Sequence, residues 1–182
     1  MFVKEIECLK CGKKFSPNEQ IYVCEECGGK LVVTYDYDEI SNEVTREDLE
    51  NRSDGVWRYK EFLPVSNKEN MITMGEGGTP LIKAENLGEV LGMDNLWLKN
   101  EIQNPTSSFK DRPMSVGVSK ALEFGAKTVV TASSGNAAAA LAAYSAKGGI
   151  ECYAFVPDDA PEGKLAQLSI YGANVIKGKP IP

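Results

Sequence analysis

The 182 residues contain no histidine. That absence removes Ser-His and Cys-His nucleophile pairs and every histidine-ligated metal. Lysine, tyrosine, cysteine and carboxylates are left to move protons. No apolar run approaches a membrane span, and the first residues lack the charged-then-apolar pattern of a secretory signal. A cytoplasmic location is therefore the expectation. Basic charge is also short, with 20 Lys and Arg against 26 Asp and Glu, a net charge of −6. This argues against nucleic acid as a partner, although helix N-termini can still hold an anionic substrate. The rest of the composition is ordinary for a globular chain, 42% apolar and 25% charged, enough for one good core or two small ones.

Four of the five cysteines fall in two pairs, Cys8 with Cys11 and Cys24 with Cys27, spaced C-x2-C-x12-C-x2-C. Such knuckles supply four thiolates for a tetrahedral Zn, and Gly12 and Gly28 sit beside them. Two disulfides or bare thiols are the other readings, and a reducing compartment disfavours the disulfides. Phe15 and Ile21-Tyr22-Val23 suggest short strands, so residues 1–34 are expected to form a zinc-ribbon-like element. With all four positions filled by protein, the metal would be structural.

Residues 35–70 read as a connector. Asp36, Asp38 and Glu39 look like a solvated face before a short helix near Thr45 to Asn51. Trp57, Tyr59, Phe62 and Leu63 are expected to pack the connector onto the next domain. Over 71–124, Gly75, Gly77 and Gly78 mark a flexible approach and Pro80-Leu81-Ile82 a strand entry. Glu85 to Leu91 is a helix ended by Gly92, and Leu96 to Lys99 a short buried strand. The glycines lack the helix and Lys-Ser/Thr of a P-loop. Over 125–182, expected to be a separate small three-layer α/β domain and an incomplete one, the pattern alternates. Thr128 to Thr131 is a buried strand, Ala137 to Lys147 a helix closed by Gly148-Gly149, and Ile150 to Val156 a strand with Cys152 inside. Gly163 to Tyr171 is a helix stopped by Gly172, and Asn174 to Ile176 a strand. That alternation predicts an α/β fold with a parallel sheet and right-handed crossovers.

Between the strand at Leu96 and a helix carrying Met114, Val118, Ala121 and Leu122 lies Asn104-Pro105-Thr106-Ser107-Ser108-Phe109-Lys110-Asp111-Arg112. Lys110 thus sits at a strand-to-helix transition, where open α/β sheets bind ligands. Amines that are partly desolvated or near another cation become nucleophiles. On spacing alone, a solvated lysine at a helix start is the stronger reading. Ser133-Ser134-Gly135-Asn136 is a second strand-to-helix turn, and its free amides could bind an anion or be capped by the serine and asparagine side chains. Lys99 and Arg112 are cations close in sequence, suited to a substrate phosphate or to a salt bridge.

The Asn104–Arg112 run resembles the Schiff-base lysine motif of threonine synthases, in the β-family (fold type II) of pyridoxal-phosphate enzymes. Gly77-Gly78-Thr79-Pro80-Leu81 resembles that family's early Gly-x-Thr-Pro-Leu signature. Thr131 to Ala138 resembles its Ser-Gly-Asn loop. The three motifs stand in family order over Met71 to about Ile176. The resemblance implies a partial fold type II domain after the zinc element, with pyridoxal 5'-phosphate as cofactor. Lys110 would be covalent anchor and proton shuttle, Phe109 would shape the pocket, and Asn136 would bond the ring's phenolic oxygen. Ser133, Ser134, Gly135 and Ala137 would hold the substrate carboxylate. The implied reaction converts O-phosphohomoserine and water to threonine and phosphate. Cysteate synthase, a threonine/serine dehydratase, or a non-catalytic zinc-binding assembly module are the alternatives.

The pattern is incomplete. The family's phosphate-binding glycine loop and the hydroxyl facing the pyridine nitrogen normally lie beyond position 182, and Lys177 to Pro182 turns away from the family pattern. An N-terminal portion is the expectation, working as a homodimer or with a missing C-terminal half. Ser107 and Pro113 stand where glycine is usual. Proline there requires either a helix starting at Pro113 or a distorted lysine loop.

Overall fold

The computed structural model describes residues 2–179, which divide into two compact units. Among the described residues, one comprises 2–53 and 57–69, the other 54–56 and 70–179.

In the first unit a three-stranded antiparallel sheet carries the cysteines. Strand β1 (Val3–Cys8) is central, between β2 (Lys14–Phe15) and β3 (Leu31–Tyr35). Each Cys pair is a tight turn closed by a left-handed glycine. Gly12 N donates to Cys8 O at 2.9 Å and Gly28 N to Cys24 O at 2.8 Å, with φ of 72° and 64°. The strand expected at Ile21-Tyr22-Val23 does not form. Both edges of β1 are already taken, and Tyr22 stands 81% exposed before the second turn. The core is correspondingly small: Cys8, Phe15 and Cys24, lined by Ile6, Ile21, Cys27 and Leu31.

Residues 35–70 hold more helix than expected. Helix α1 (Tyr37–Glu43) is capped by the Asp36 carboxylate, which accepts from Glu39 N. Helix α2 (Arg46–Glu50) starts with a capping box between Thr45 and Asp48. Two of the carboxylates there are caps as well as solvated charges.

The second unit begins with an antiparallel ribbon of β4 (Leu81–Lys83) and β5 (Trp97–Lys99), joined through α3 (Glu85–Leu91). Gly92 ends α3 at φ 67°. The strand near Leu96 is present, but it is exposed rather than buried, with Trp97 and Leu98 both 48% exposed. The ribbon has two strands, and every residue of both is exposed. Then come α4 (Asp111–Glu123), β6 (Thr128–Thr131), α5 (Asn136–Gly148), β7 (Glu151–Pro157), α6 (Glu162–Ile170) and β8 (Asn174–Gly178). The three strands are parallel, in the order β6-β7-β8. Val130 shares the sheet face of Tyr153 and Phe155, opposite the face that carries Cys152 and Ala154, and is 61% exposed where a buried strand was expected. Lys177 and Gly178 continue β8 beside Val156 and Pro157; the rest of the 177–182 segment, from 180 on, lies outside the described residues.

The core of this unit lies between α4, α5 and one face of the sheet. Residues Ala138 to Ser145 are all buried. Alanine suits a helix packed on two sides because its methyl lets neighbouring backbones approach. Cys152, Ala154 and Val156 point from β7 toward it.

Candidate functional site

The loop before α4 alternates between inside and outside. Asn104, Thr106, Ser108 and Asp111 are buried, while Pro105, Ser107 and Phe109 face outward. A turn opens it, with Ser107 N donating to Asn104 O at 2.8 Å. Asp111 closes it: its Oδ2 accepts from Thr106 N at 3.0 Å and Thr106 Oγ1 at 2.9 Å. Lys110 is held between these two ends as the N-cap of α4.

The Lys110 side chain is half-buried, and its Nζ lies 4.4 Å from the centre of the Phe109 ring. Among the described residues it makes no ion pair. Its contact is the face of an aromatic ring, which orients an ammonium without fixing it to a carboxylate. Arg112 is different. It forks Glu101, Nε to Oε2 and Nη2 to Oε1, both at 2.8 Å. That fork, with lesser help from Thr79 and Asn104, holds the Glu101 carboxyl down at about 2. Lys99 Nζ donates to the Thr79 carbonyl. Arg112 thus takes the salt-bridge alternative of the sequence reading, whereas Lys99 is engaged by a backbone carbonyl.

Helix α4 starts at Asp111, so Pro113 is its third residue. The first four amides of a helix have no intrahelical acceptor, so a proline there removes no helical hydrogen bond. Neither expected outcome, a start at Pro113 or a broken loop, occurs. Ser107 has φ 61°, the only left-handed non-glycine among the described residues. The glycine usual in this motif would take that conformation without a Cβ clash.

At the second turn Gly135 is the N-cap of α5 and supplies no side-chain cap. Ser133 Oγ accepts instead from Gly135 N at 3.2 Å, and Asn136 is exposed at the first helical position. Among the described residues no serine or asparagine side chain caps the next first-turn amides, that of Ala137 included. Ser134 is half-buried beside them. Helix α4 packs on α5. The Asp111 end lies near Tyr144, two turns or ~12 Å along α5 from Asn136.

Sequence reasoning missed the polar centre of this unit. Glu76 is 1% exposed and accepts from Ser115 Oγ at 2.6 Å, Tyr144 Oη at 2.9 Å, Met74 N at 3.0 Å and Thr73 Oγ1 at 3.1 Å. Gly75 and Gly77, at φ 87° and 88°, turn the backbone so that Glu76 points inward. A Cβ on Gly77 would meet Val56 N at 2.9 Å and Arg112 Nη1 at 3.0 Å, so the run is a fitted bend rather than a flexible approach. A glutamate fenced by glycines was the available signal.

In the first unit the four Sγ atoms lie within 4.8 Å of one another, with Cys8 to Cys27 at 3.5 Å and Cys11 to Cys24 at 3.6 Å. A tetrahedral zinc with Zn–S of about 2.3 Å spaces its sulfurs about 3.8 Å apart, so the donor set fits. The Cys11 backbone, with Lys10 and neighbouring thiols, brings Cys8 down to about 6. The Lys13 amide favours the Cys11 thiolate, but Cys27, burial, Cys8 and Cys24 outweigh it and push Cys11 up to about 12.

Residues 72–179 match the family model described as pyridoxal-phosphate dependent enzyme. The chain is similar to a threonine synthase of Methanocaldococcus jannaschii, 50% identical over 173 residues, 94% of this chain and 42% of that protein. A threonine synthase of Methanosarcina acetivorans is 45% identical over 94% of the chain and 42% of its own length. The chain thus spans less than half of these relatives. Among solved structures, a serine racemase of Dictyostelium discoideum has a TM-score of 0.53 and 38% identity, covering 57% of this chain and 34% of that one. An aspartate racemase described as pyridoxal 5'-phosphate-dependent has a TM-score of 0.55 and 29% identity over 75% of this chain and 39% of its own.

Two measurements test the site as a folded object. Ser107→Gly is expected to leave stability unchanged or raise it by up to about 1 kcal/mol, and Ser107→Val to lower it by about 1–2 kcal/mol. Equal effects of the two in denaturant titrations would show that φ at 107 is not the constraint. Glu101 has a lowered folded value, about 2 against an unfolded one near 4.3. Its stabilisation is therefore complete above the unfolded value and lost as pH falls through the folded one. Between pH 5 and 2, the denaturation midpoint read from Trp97 in a Trp57→Phe background should fall more steeply than in the same background with Glu101→Gln. Parallel profiles would overturn the assignment.

Proposed function

We propose that this chain, which belongs to the pyridoxal-phosphate dependent enzyme family, carries the lysine-bearing part of a threonine-synthase-type lyase. The reaction is the conversion of O-phosphohomoserine and water to threonine and phosphate. One observation supports it most: Lys110 stands at the start of α4 with Nζ on the Phe109 ring and no carboxylate partner among the described residues. Lysines used for imine chemistry need an amine that is reachable and not locked in an ion pair. The substrate reading rests on the threonine synthases that the chain resembles over 94% of its length.

Pyridoxal 5'-phosphate, when bound, supplies the electron sink on which replacement chemistry runs. The chain's own residues would do the rest. Lys110 Nζ anchors the cofactor and moves a proton to and from the reacting carbons. Phe109 limits the positions open to the lysine side chain. The first-turn amides of α5 from Gly135 to Ala137, with Ser133 and Ser134, hold the substrate carboxylate at the positive end of the helix. Asn136 would help hold the cofactor through its side-chain amide. Glu101, Arg112 and Asn104 tie the Gly77–Thr79 segment to the lysine loop and hold its shape.

In the first unit we place a structural zinc on Cys8, Cys11, Cys24 and Cys27. A reducing, cytoplasmic setting keeps those thiols available. A second reading, that the chain works by pairing with itself or with further polypeptide, is favoured by the exposed β4–β5 ribbon. Leu81 is 60% exposed, and Trp97 and Leu98 48% each. Open strands and apolar faces of this kind invite a partner.

Adding pyridoxal phosphate to the purified chain should produce a near-visible absorption band that Lys110→Ala loses, and O-phosphohomoserine turnover is the assay to run once that band is seen. A band that survives Lys110→Ala would remove the lysine from the site. Chelator treatment or Cys24→Ser should release about one zinc per chain and unfold the first unit, seen as loss of β-sheet signal. A metal-free chain with the same spectrum would overturn the zinc assignment.

A further inference from the structure

Residues 72–77 form a strap with three attachments. The first is to α4: Ile72 N donates to Ser119 Oγ at 2.8 Å, and Ser115 Oγ donates to Ile72 O at 2.8 Å. The second is Glu76, which is 1% exposed. Its Oε1 accepts from the same Ser115 hydroxyl at 2.6 Å, and its Oε2 from Tyr144 Oη of α5 at 2.9 Å. The third is Gly77, whose amide donates to Asn104 Oδ1 at 3.0 Å where the lysine loop opens. Met74 N and Thr73 Oγ1 also donate to Glu76 Oε2, so the carboxyl is fixed on its own segment as it reaches both helices.

The two helices run in the same sense. Glu76 joins Ser115 to Tyr144. About one turn further on, Gly148 lies against Val118 and Leu122, whose methyls an added Cβ would meet at 3.3 and 3.2 Å. Both helix starts therefore lie on one side of Glu76. Lys110 is five residues before Ser115, roughly 7.5 Å along the axis, and Asn136 is eight before Tyr144, roughly 12 Å. Apolar packing sets this register loosely. α5 brings alanine at 137–140, 142 and 143, and methyls make shallow ridges. Directional bonds at a buried acceptor cost more to break than such contacts cost to slide. Burial first, then the Glu76 hydrogen bond, push Tyr144 above the usual phenol range, which keeps its hydrogen in place.

We propose that Glu76 is a positioning residue that fixes α4 against α5 and so sets Lys110 against the first-turn amides of α5. At 1% exposure it meets no ligand itself and acts through Ser115 and Tyr144. The same strap reaches the far end of the lysine loop through Gly77 and Asn104, so loop and helices share one reference point. The bearing on ligand rests on the function proposed above, whereas the alignment of the helices does not.

Tyr144→Phe and Ser115→Ala each remove one hydroxyl arm and leave Glu76 and the apolar packing in place. Residual dipolar couplings of the backbone amides give the angle between α4 and α5 with no cofactor added. That angle is expected to change in both variants while each helix stays internally unaltered. An unchanged angle overturns the proposal, and should one variant not fold, the other decides. Pyridoxal phosphate is the second probe. Half-saturation of the Lys110-dependent band should need roughly tenfold more of it in each variant. Reductive methylation of Lys110 with formaldehyde needs only the lysine of α4, and its rate should not move. Leu168→Ala opens a cavity at α6 and lowers stability while keeping every hydroxyl of the strap, so it should leave the cofactor midpoint in place. Equal weakening by Leu168→Ala, or methylation that changes in step with the cofactor midpoint, would reveal general loss of stability and overturn the role. A parent chain without any Lys110-dependent band sinks the functional reading instead, and the dipolar couplings still decide on the helix alignment.

Discussion

The second unit depends on two carboxyls that never reach water. Glu76 gathers hydrogen bonds from its own bend, from α4 through Ser115 and from α5 through Tyr144. Asp111 gathers the loop that ends in Lys110. Apolar packing alone could slide α4 against α5 by a methyl group at little cost. Directional bonds from one carboxylate to both helices restrict that slide, and the restriction is inherited by everything the helices carry at their N-termini. Burial makes these bonds strong and makes losing one expensive.

Much of the fold could be read directly. The strand-helix alternation after residue 127 follows from apolar runs punctuated by glycine, and α3, α5 and α6 end at Gly92, Gly149 and Tyr171-Gly172 as that punctuation implies. The cysteine spacing led to the grouping of four sulfurs. What was not legible depends on partners distant in sequence. Tyr22 and Val23 have strand-like composition, but β1 had no free edge. Val130 and Trp97 look like core residues by type, and their exposure follows from the absence of a covering layer. Composition records a preference for burial, not whether something is there to bury against.

At the candidate site the divide is similar. Lys110, its loop and the α5 turn were recognisable from local motif. The engagement of Arg112 and Lys99 with Glu101 and Thr79 was not, because those contacts join residues 11 to 33 positions apart. Glu76 and Tyr144, 68 positions apart, were silent for the same reason. A tyrosine in an alanine run and a glutamate between glycines are the residues whose chemistry fails to match their surroundings, and both turned out to be at the polar centre.

Pro113 has a consequence for how the chain acquires this shape. Helix formation is limited by its first turn, where several dihedrals must be fixed before hydrogen bonds accumulate. A ring that holds φ near the helical value has part of that fixed already in the unfolded chain. Placed third in α4, it lowers the entropy lost when the first turn beside Lys110 and Asp111 is fixed.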